Sequence, residues 1–382
     1  MENKKKVLII NSNYPNEGNL YGDVFVHSRV KHYLDIFDIQ ILGCRPELDS
    51  DQFYNHEGVN VINASSKDKF MYYFNLQQPA AICIHFVSDW MIEAFIKRTN
   101  IPILIWIHGY EALGWYRRLF NYSISSTFSF VKYMISNTRQ MWYMHKLASI
   151  SNKTGKIQFI FVSNWMKRIM ERDTLSQIKN YKIIPNPIDS DLFRYRKKTS
   201  DFRKKILLIR SFDSTKYAND VAIEAIKILS KRKFFGELKI SIYGKGKFFS
   251  VLTRDLTNYK NVEIHNKFIS NVDIPQVHNL YGVFLCPTRQ DAQGVSMCEA
   301  MSSGLIPISS DNTAIPEFVE NDINGFLTRS AMEIADKIEY LFKNPNRFCE
   351  MSVNASNMIQ TISGHNVVIS KEVCLINESI NR

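Results

Sequence analysis

The chain has 382 residues, 45% of them hydrophobic and 22% charged, and 48 Lys plus Arg against 37 Asp plus Glu give it a formal net charge of +11. This profile excludes a collagen, a disulfide-stapled miniprotein and a disordered polymer, and the length exceeds what one hydrophobic core usually serves, so two domains are expected. The six cysteines form no CxxC pair, which favours a reducing compartment without a structural zinc site.

Short apolar runs alternate with segments of helical period, the pattern of parallel sheets covered by helices. A first strand is expected at residues 6–11, where Lys4, Lys5 and Lys6 precede a short apolar run in the manner of a secretion signal. Asn11, Asn13 and Asn16 come directly after it, however, so a core strand is the better reading. Gly18, Gly22 and Asp23 then make a turn ahead of a helix. Further strands are expected at 39–43, 81–85, 102–107, 157–162 and 181–184, as continuous apolar runs of the kind that buried parallel strands show. The apolar run 103–107 falls far short of the roughly 20 residues that cross a bilayer, and no spanning helix is expected.

Two of these strands end in histidine. His85 precedes Ser88 and Asp89, a possible helix cap. His108 opens the sequence Gly109, Tyr110, Glu111 at the carboxyl end of its strand, where a histidine can donate a hydrogen bond to a ligand. The spacing of His85, His108 and Glu111 matches no helical HExxH arrangement, so no metal is expected there.

Residues 112–170 contain no Asp or Glu but nine Lys and Arg, interleaved with Trp115, Tyr116, Phe128, Tyr133 and Trp142. Residues 126–148 are the expected helical part. Rings suited to the headgroup level and snorkelling lysine stems describe a surface for an anionic membrane. A basic face on an ordinary core helix is the competing reading. Nucleic-acid binding has no compact motif behind it and is not expected.

Pro185, Asn186 and Pro187 interrupt both strand and helix and mark a domain junction. A second series of strands follows at 205–210, 238–243, 262–265, 283–286 and 305–309. A helix covers 218–229, with its apolar positions on one face and Asp220 in the first turn. Later helices run over 330–342 and onward from about 347.

Three segments of this second series carry chemistry. Arg210 ends the first strand and Lys216 follows after a polar loop, two cations able to clamp a diphosphate. Tyr243, Gly244, Lys245 and Gly246 make a glycine turn, weak as a nucleotide motif because the full dinucleotide spacing is missing. The segment from Thr288 to Ala300 leaves a strand and opens a helix. Gly294 allows close backbone approach there, and the amides of Val295, Ser296 and Met297 point at an anion site. Asp291 and Glu299 can accept hydrogen bonds from hydroxyl groups of one ligand. An ordinary helix turn with Asp291 as turn residue accounts for the same spacing.

The run from Asp291 to Glu299, continued by Gly304, Pro307, Pro316, Glu317 and the turn at Asn324 and Gly325, resembles the donor-site signature of the retaining nucleotide-sugar glycosyltransferases of family 4, the glycogen synthase and mannosyltransferase-like group. Asp291 stands where that pattern usually has a glutamate, and Gln293 where it has an aromatic residue. The resemblance implies an α/β protein of two facing Rossmann-like domains, the GT-B type, with a cleft between them. It implies an acceptor-side domain over 1–184, a nucleotide-sugar domain over 185–344, and a helical segment over 345–382 crossing back to the first domain. It further implies catalytic or donor-binding roles for His108, Arg210, Lys216 and Asp291, and donor contacts at Gly22, Gly244, Gly246, Gly294, Val295, Ser296 and Glu299. The donor is then a substrate with no tightly bound cofactor, and the acceptor a glycan or lipid-linked glycan met at the cytoplasmic face of a membrane. A noncatalytic sugar-nucleotide-binding module or an assembly scaffold are the alternatives.

Overall fold

In the computed structural model, which describes residues 4–19, 22–91, 95, 100–121 and 127–381, the chain forms two compact units. Met1–Arg117, Ser126–Pro187 and Val368–Arg382 make the first, and Arg118–Ser125 with Ile188–Val367 the second. The change between them after Pro187 falls in the Pro-Asn-Pro segment, which can continue neither a strand nor a helix.

The first unit is built from β1 (Lys6–Ile10), α1 (Val24–Tyr33), β2 (Asp38–Cys44), β3 (Gln52–His56), β4 (Val59–Ala64), α2 (Lys67–Leu76), β5 (Ala81–His85), β6 (Ile103–Ile107), α3 (Thr127–Thr154), β7 (Ile157–Phe161), α4 (Asn164–Asp173) and β8 (Tyr181–Ile183). Ser126, the expected start of α3, lies outside the described residues. The strands form one sheet in the order β3-β4-β2-β1-β5-β6-β7-β8, parallel except for the antiparallel pair β3 and β4. Every residue of β5, β6 and β7 is buried, as strands covered on both faces require.

The second unit contains β9 (Lys205–Ile209), α5 (Asn219–Leu229), β10 (Lys239–Gly244), β11 (Val262–Asn266), β12 (Val283–Cys286), α6 (Val295–Ser302), β13 (Ile306–Ser310), β14 (Phe326–Thr328), α7 (Ala331–Lys343) and α8 (Pro345–Ser363). Its sheet is wholly parallel, in the order β11-β10-β9-β12-β13-β14. In both sheets the strand order reverses beside the first strand of the series, between β1 and β5 and between β9 and β12. The carboxyl ends of the strands at such switch points are where open α/β sheets hold ligands.

A last helix, α9 (His365–Ile380), carries the chain from the second unit back into the core of the first, where Val368, Leu375 and Ile376 pack with strand residues of β1, β2 and β6. It also delivers a charge. Glu372 and Arg29 of α1 are both fully buried and stand 3.6 Å apart. Tyr33 Oη donates to Glu372 Oε2 at 2.5 Å and Trp106 Nε1 to Oε1 at 3.0 Å, so both oxygens of the carboxylate are satisfied. Arg29 Nη2 donates to Asn186 Oδ1 at 2.9 Å, which ties α1 to the segment between the two prolines.

Candidate functional site

In the second unit, β9 ends at Ile209 and Arg210 follows at the switch point. Its amide donates to the carbonyl of Tyr243 at 3.1 Å, which holds the backbone beside β10. The side chain turns the other way. Nη1 donates to Ser296 Oγ at 3.0 Å, Nη2 reaches the carbonyl of Cys286 at 3.5 Å, and the guanidinium carbon lies 5.1 Å from the Tyr217 ring centroid. Arg210 is 7% exposed and its Nε, buried, has no hydrogen-bond partner among the described residues. A buried guanidinium thus spans from β9 to the first turn of α6 with donor capacity left over.

Gly294, at φ +80°, provides the left-handed residue from which α6 starts. Among the described residues no side chain caps this helix, which leaves the amides of Val295, Ser296 and Met297 available at its positive end. Asp291 behaves as a turn residue: its Oδ1 accepts from the amides of Gly294 at 2.8 Å and Gln293 at 3.3 Å. Its Oδ2 makes no hydrogen bond among the described residues.

Lys216 sits in the loop after β9 with its Nζ 5.2 Å from the Tyr217 ring centroid and no carboxylate partner among the described residues. Its carbonyl accepts from the Arg289 amide at 2.8 Å and from Thr288 Oγ1 at 3.2 Å, stitching the loop after β9 to the loop after β12. The bidentate pair of Arg289 with Asp220, at 2.8 and 2.6 Å, fixes the same junction to the start of α5. Arg210 and Lys216 therefore flank one tyrosine ring at the mouth of the uncapped helix.

Gly244 and Gly246 lie behind this arrangement. A Cβ on Gly244 would stand 2.2 Å from the carbonyl oxygen of Arg210, and one on Gly246 would stand 2.4 Å from the amide nitrogen of Asp213. Both glycines let the loop after β10 pack against residues 210–213, and so shape the backing of Arg210.

Glu299, one turn into α6, makes no side-chain hydrogen bond among the described residues, and burial pushes its carboxyl up to about 8 against the opposing pull of Arg210. Between its ordinary value of 4.5 and about 8 the folded chain keeps a proton that the unfolded chain releases, so this group's contribution to stability falls as pH rises through that window. The thermal midpoint is expected to decline less steeply from about pH 5 to about pH 8.5 in Glu299→Gln than in the parent. Equal slopes would remove Glu299 from this role.

In the first unit, Gly22 and His108 lie in the loops after β1 and β6. Asparagines tie the segment after β1 to Asp23: Asn11 Nδ2 donates to Asp23 Oδ2 at 2.8 Å, and the Asp23 amide donates to the carbonyl of Asn13 at 2.8 Å. A Cβ on Gly22 would stand 2.5 Å from that same carbonyl oxygen. Phe25, just beyond, brings this loop to His108, with ring centroids 5.0 Å apart.

His108 Nε2 and His85 Nδ1 share a hydrogen bond of 2.9 Å, and the His85 ring stacks on Trp106. Burial, and after it the charge of Arg29, holds both histidines neutral, well below the usual imidazole range. Asn186 lies beside the His108 ring and acts in the other direction. Glu111, fully buried, accepts from the amides of His108 and Gly109 and so fixes the backbone that presents the ring. Burial raises its carboxyl to about 7 despite those amides. Arg29, Asn186 and Glu372 were not singled out as site residues by the sequence reading. For Arg29 and Glu372 the signal was a charge on an otherwise apolar helix face, at Val26, Arg29, Val30 and Tyr33 and again at Val368, Glu372, Leu375 and Ile376.

Comparison with known proteins bears on both units. Residues 203–344 match the family described as Glycosyl transferases group 1. The UDP-N-acetylglucosamine–peptide N-acetylglucosaminyltransferase GtfA subunit of Streptococcus pneumoniae is 25% identical over 195 residues, 49% of this chain. The match spans 37% of that relative's length. Among solved structures, the sucrose-phosphate synthase of Thermosynechococcus elongatus superposes with a TM-score of 0.75 at 13% identity, over 98% of this chain and 99% of that one. Anabaena HepE, solved in complex with UDP and glucose, superposes with a TM-score of 0.69 at 14% identity, over 98% and 100%. The fold is GT-B.

Proposed function

We propose that the chain is a retaining glycosyltransferase, of the family 4 kind, that moves a sugar from a nucleoside-diphosphate donor to a glycan or lipid-linked glycan in cell-surface polysaccharide or glycolipid synthesis. The observation that carries this reading is the buried Arg210 guanidinium, with donor capacity to spare, laid across the switch point to the uncapped start of α6. A helix N-terminus and two cations at one strand edge suit a diphosphate, and the family match covers this part of the chain. The names of the relatives, two of which mention UDP, favour a uridine nucleotide.

In this mechanism Arg210, Lys216 and the amides of Val295 and Ser296 take up charge on the diphosphate as the bond from the anomeric carbon to the phosphate oxygen breaks. Glu299 holds the ribose, Gly244, Gly246 and Gly294 keep the surrounding loops close, and Asp291 meets hydroxyl groups of the transferred sugar. The acceptor oxygen bonds to the anomeric carbon from the face the phosphate leaves, its proton passes to the departing phosphate oxygen, and the configuration is kept. Placement against the departing oxygens does most of the work in such an oxocarbenium-like transition state. The purified protein is expected to be thermally stabilised by one class of nucleotide sugar in a screen and to release the nucleoside diphosphate from it. Stabilisation without release, with every acceptor class tried, would leave a noncatalytic binding module.

We also propose that the first unit docks on an anionic membrane at the cytoplasmic face. Phe128, Ile135 and Trp142 recur every seven residues along α3 and are 85%, 65% and 51% exposed. Lys132 and Lys146 are exposed beside them, and Lys146 Nζ lies 3.4 Å from the Trp142 ring centroid. Among the described residues no helix is long and apolar enough to cross a membrane, so attachment would be lateral. Phe128→Ser with Ile135→Ser and Lys132→Glu is expected to abolish sedimentation with phosphatidylglycerol-containing liposomes. Unchanged partitioning would return α3 to an ordinary basic face.

A further inference from the structure

We propose that His27, His56 and Glu57 form a binding site for a divalent cation of the zinc class that clips α1 to the β3–β4 turn of the first unit. One nitrogen of each imidazole and one oxygen of the carboxylate lie within 4.8 Å of one another. Tetrahedral zinc, with bonds of about 2.0–2.1 Å, needs these atoms only modestly closer than that and leaves a fourth position for water. Cysteine plays no part, which is why the cysteine pattern gave no hint of this site.

Each ligand is held by the fold. His27, 6% exposed on the buried side of α1, has its Nδ1 2.7 Å from Tyr14 Oη, and its Nε2 faces Glu57 Oε2 at 3.2 Å. The His56 ring lies edge-on to it with centroids 4.6 Å apart. His56 closes β3 opposite Val59, and Glu57 and Gly58 form a two-residue turn with φ of +47° and +87°. Asn55 Oδ1 accepts the Gly58 amide at 2.9 Å and braces that turn. Two of the three ligands therefore come from a tight hairpin turn and the third from a packed helix.

Tyr14 supplies the outer shell. Its hydroxyl donates to Nδ1 when Nε2–H donates to Glu57, and it accepts from Nδ1–H when Nε2 binds a metal, so the ring changes tautomer without changing place. Opposing the site is Lys31, whose Nζ stands 2.7 Å from Glu57 Oε2. Both side chains are about half exposed, at 52% and 55%, so the ammonium can swing into water as a cation enters.

The test uses the full chain without a polyhistidine tag, titrated with zinc against a chromophoric chelator and with cobalt followed by visible absorption. One ion per chain is expected, with a rise in melting temperature. His56→Ala, at the half-buried end of the edge strand β3, is expected to lower affinity by more than about 30-fold, and Tyr14→Phe by about 10-fold. Lys31→Ala is expected to tighten binding several-fold, because it removes the cation that competes for Glu57 Oε2. Absence of saturable binding, equal affinity in His56→Ala, or weaker binding in Lys31→Ala would each overturn the site.

Discussion

Arg210→Ala should lower sugar transfer by about 10²–10³-fold, the scale of losing one preorganised donor to a developing negative charge, while the protein stays folded. The guanidinium touches Ser296 Oγ and the carbonyl of Cys286, both at the ligand edge of the sheet, and its Nε is left over for a ligand. Lys216→Ala should act in the same direction through the donor's phosphates. Arg210→Lys should recover little, because a single ammonium cannot reach both α6 and β12 while facing a diphosphate. Initial rates with the donor identified in the screen, compared with thermal midpoints of the same variants, separate chemistry from folding. Rates within about threefold of the parent for both alanine variants would remove the phosphate clamp.

Glu372→Ala should destabilise the first unit by about 3–5 kcal/mol, the usual cost of stranding one member of a fully buried ion pair. The substitution leaves Arg29 charged in the core and deprives Tyr33 Oη and Trp106 Nε1 of their acceptor. The double change Arg29→Met with Glu372→Leu should recover most of that loss, since apolar groups of similar volume often replace a buried pair at no net cost. Urea unfolding followed by tryptophan fluorescence, to which the buried Trp106 contributes, reads this. A loss below about 1 kcal/mol in the single variant would mean that water reaches the pair.

The parallel strands were legible because burial on both faces demands unbroken apolar runs, and β5, β6, β7 and β12 are such runs. The hairpin β3–β4 and α2 were not read, and the all-parallel expectation missed the one antiparallel pair. The physical cause lies in β3 itself: Gln52, Phe53, Tyr54, Asn55 and His56 form an edge strand with no fully buried residue, and β4 alternates Val59, Asn60, Val61. β14 is three residues long and was read only as the turn that opens it.

The candidate donor site was visible where backbone geometry writes itself into sequence, as in the strand-loop-helix passage through Gly294. Less visible was what each group touches. The spacing of Asp291 fitted a ligand contact and a turn alike, and its Oδ1 is spent on the turn. Gly244 and Gly246 announce close approach, but the neighbour is the protein's own backbone at 210–213. Such distinctions depend on partners far apart in the chain, which local pattern does not encode.

The return of α9 to the first sheet also sets an order of events during translation. When the ribosome has delivered residues 1–187, the nascent chain holds every strand of that sheet but neither Glu372 nor the apolar face of Val368, Leu375 and Ile376, so Arg29 has no counter-charge. The later-made second unit is continuous apart from Arg118–Ser125 and can mature while the earlier one waits. Growth of this polypeptide from its amino end thus leaves the earlier-made half without its last helix and the counter-charge of Arg29 until residue 376 clears the exit tunnel.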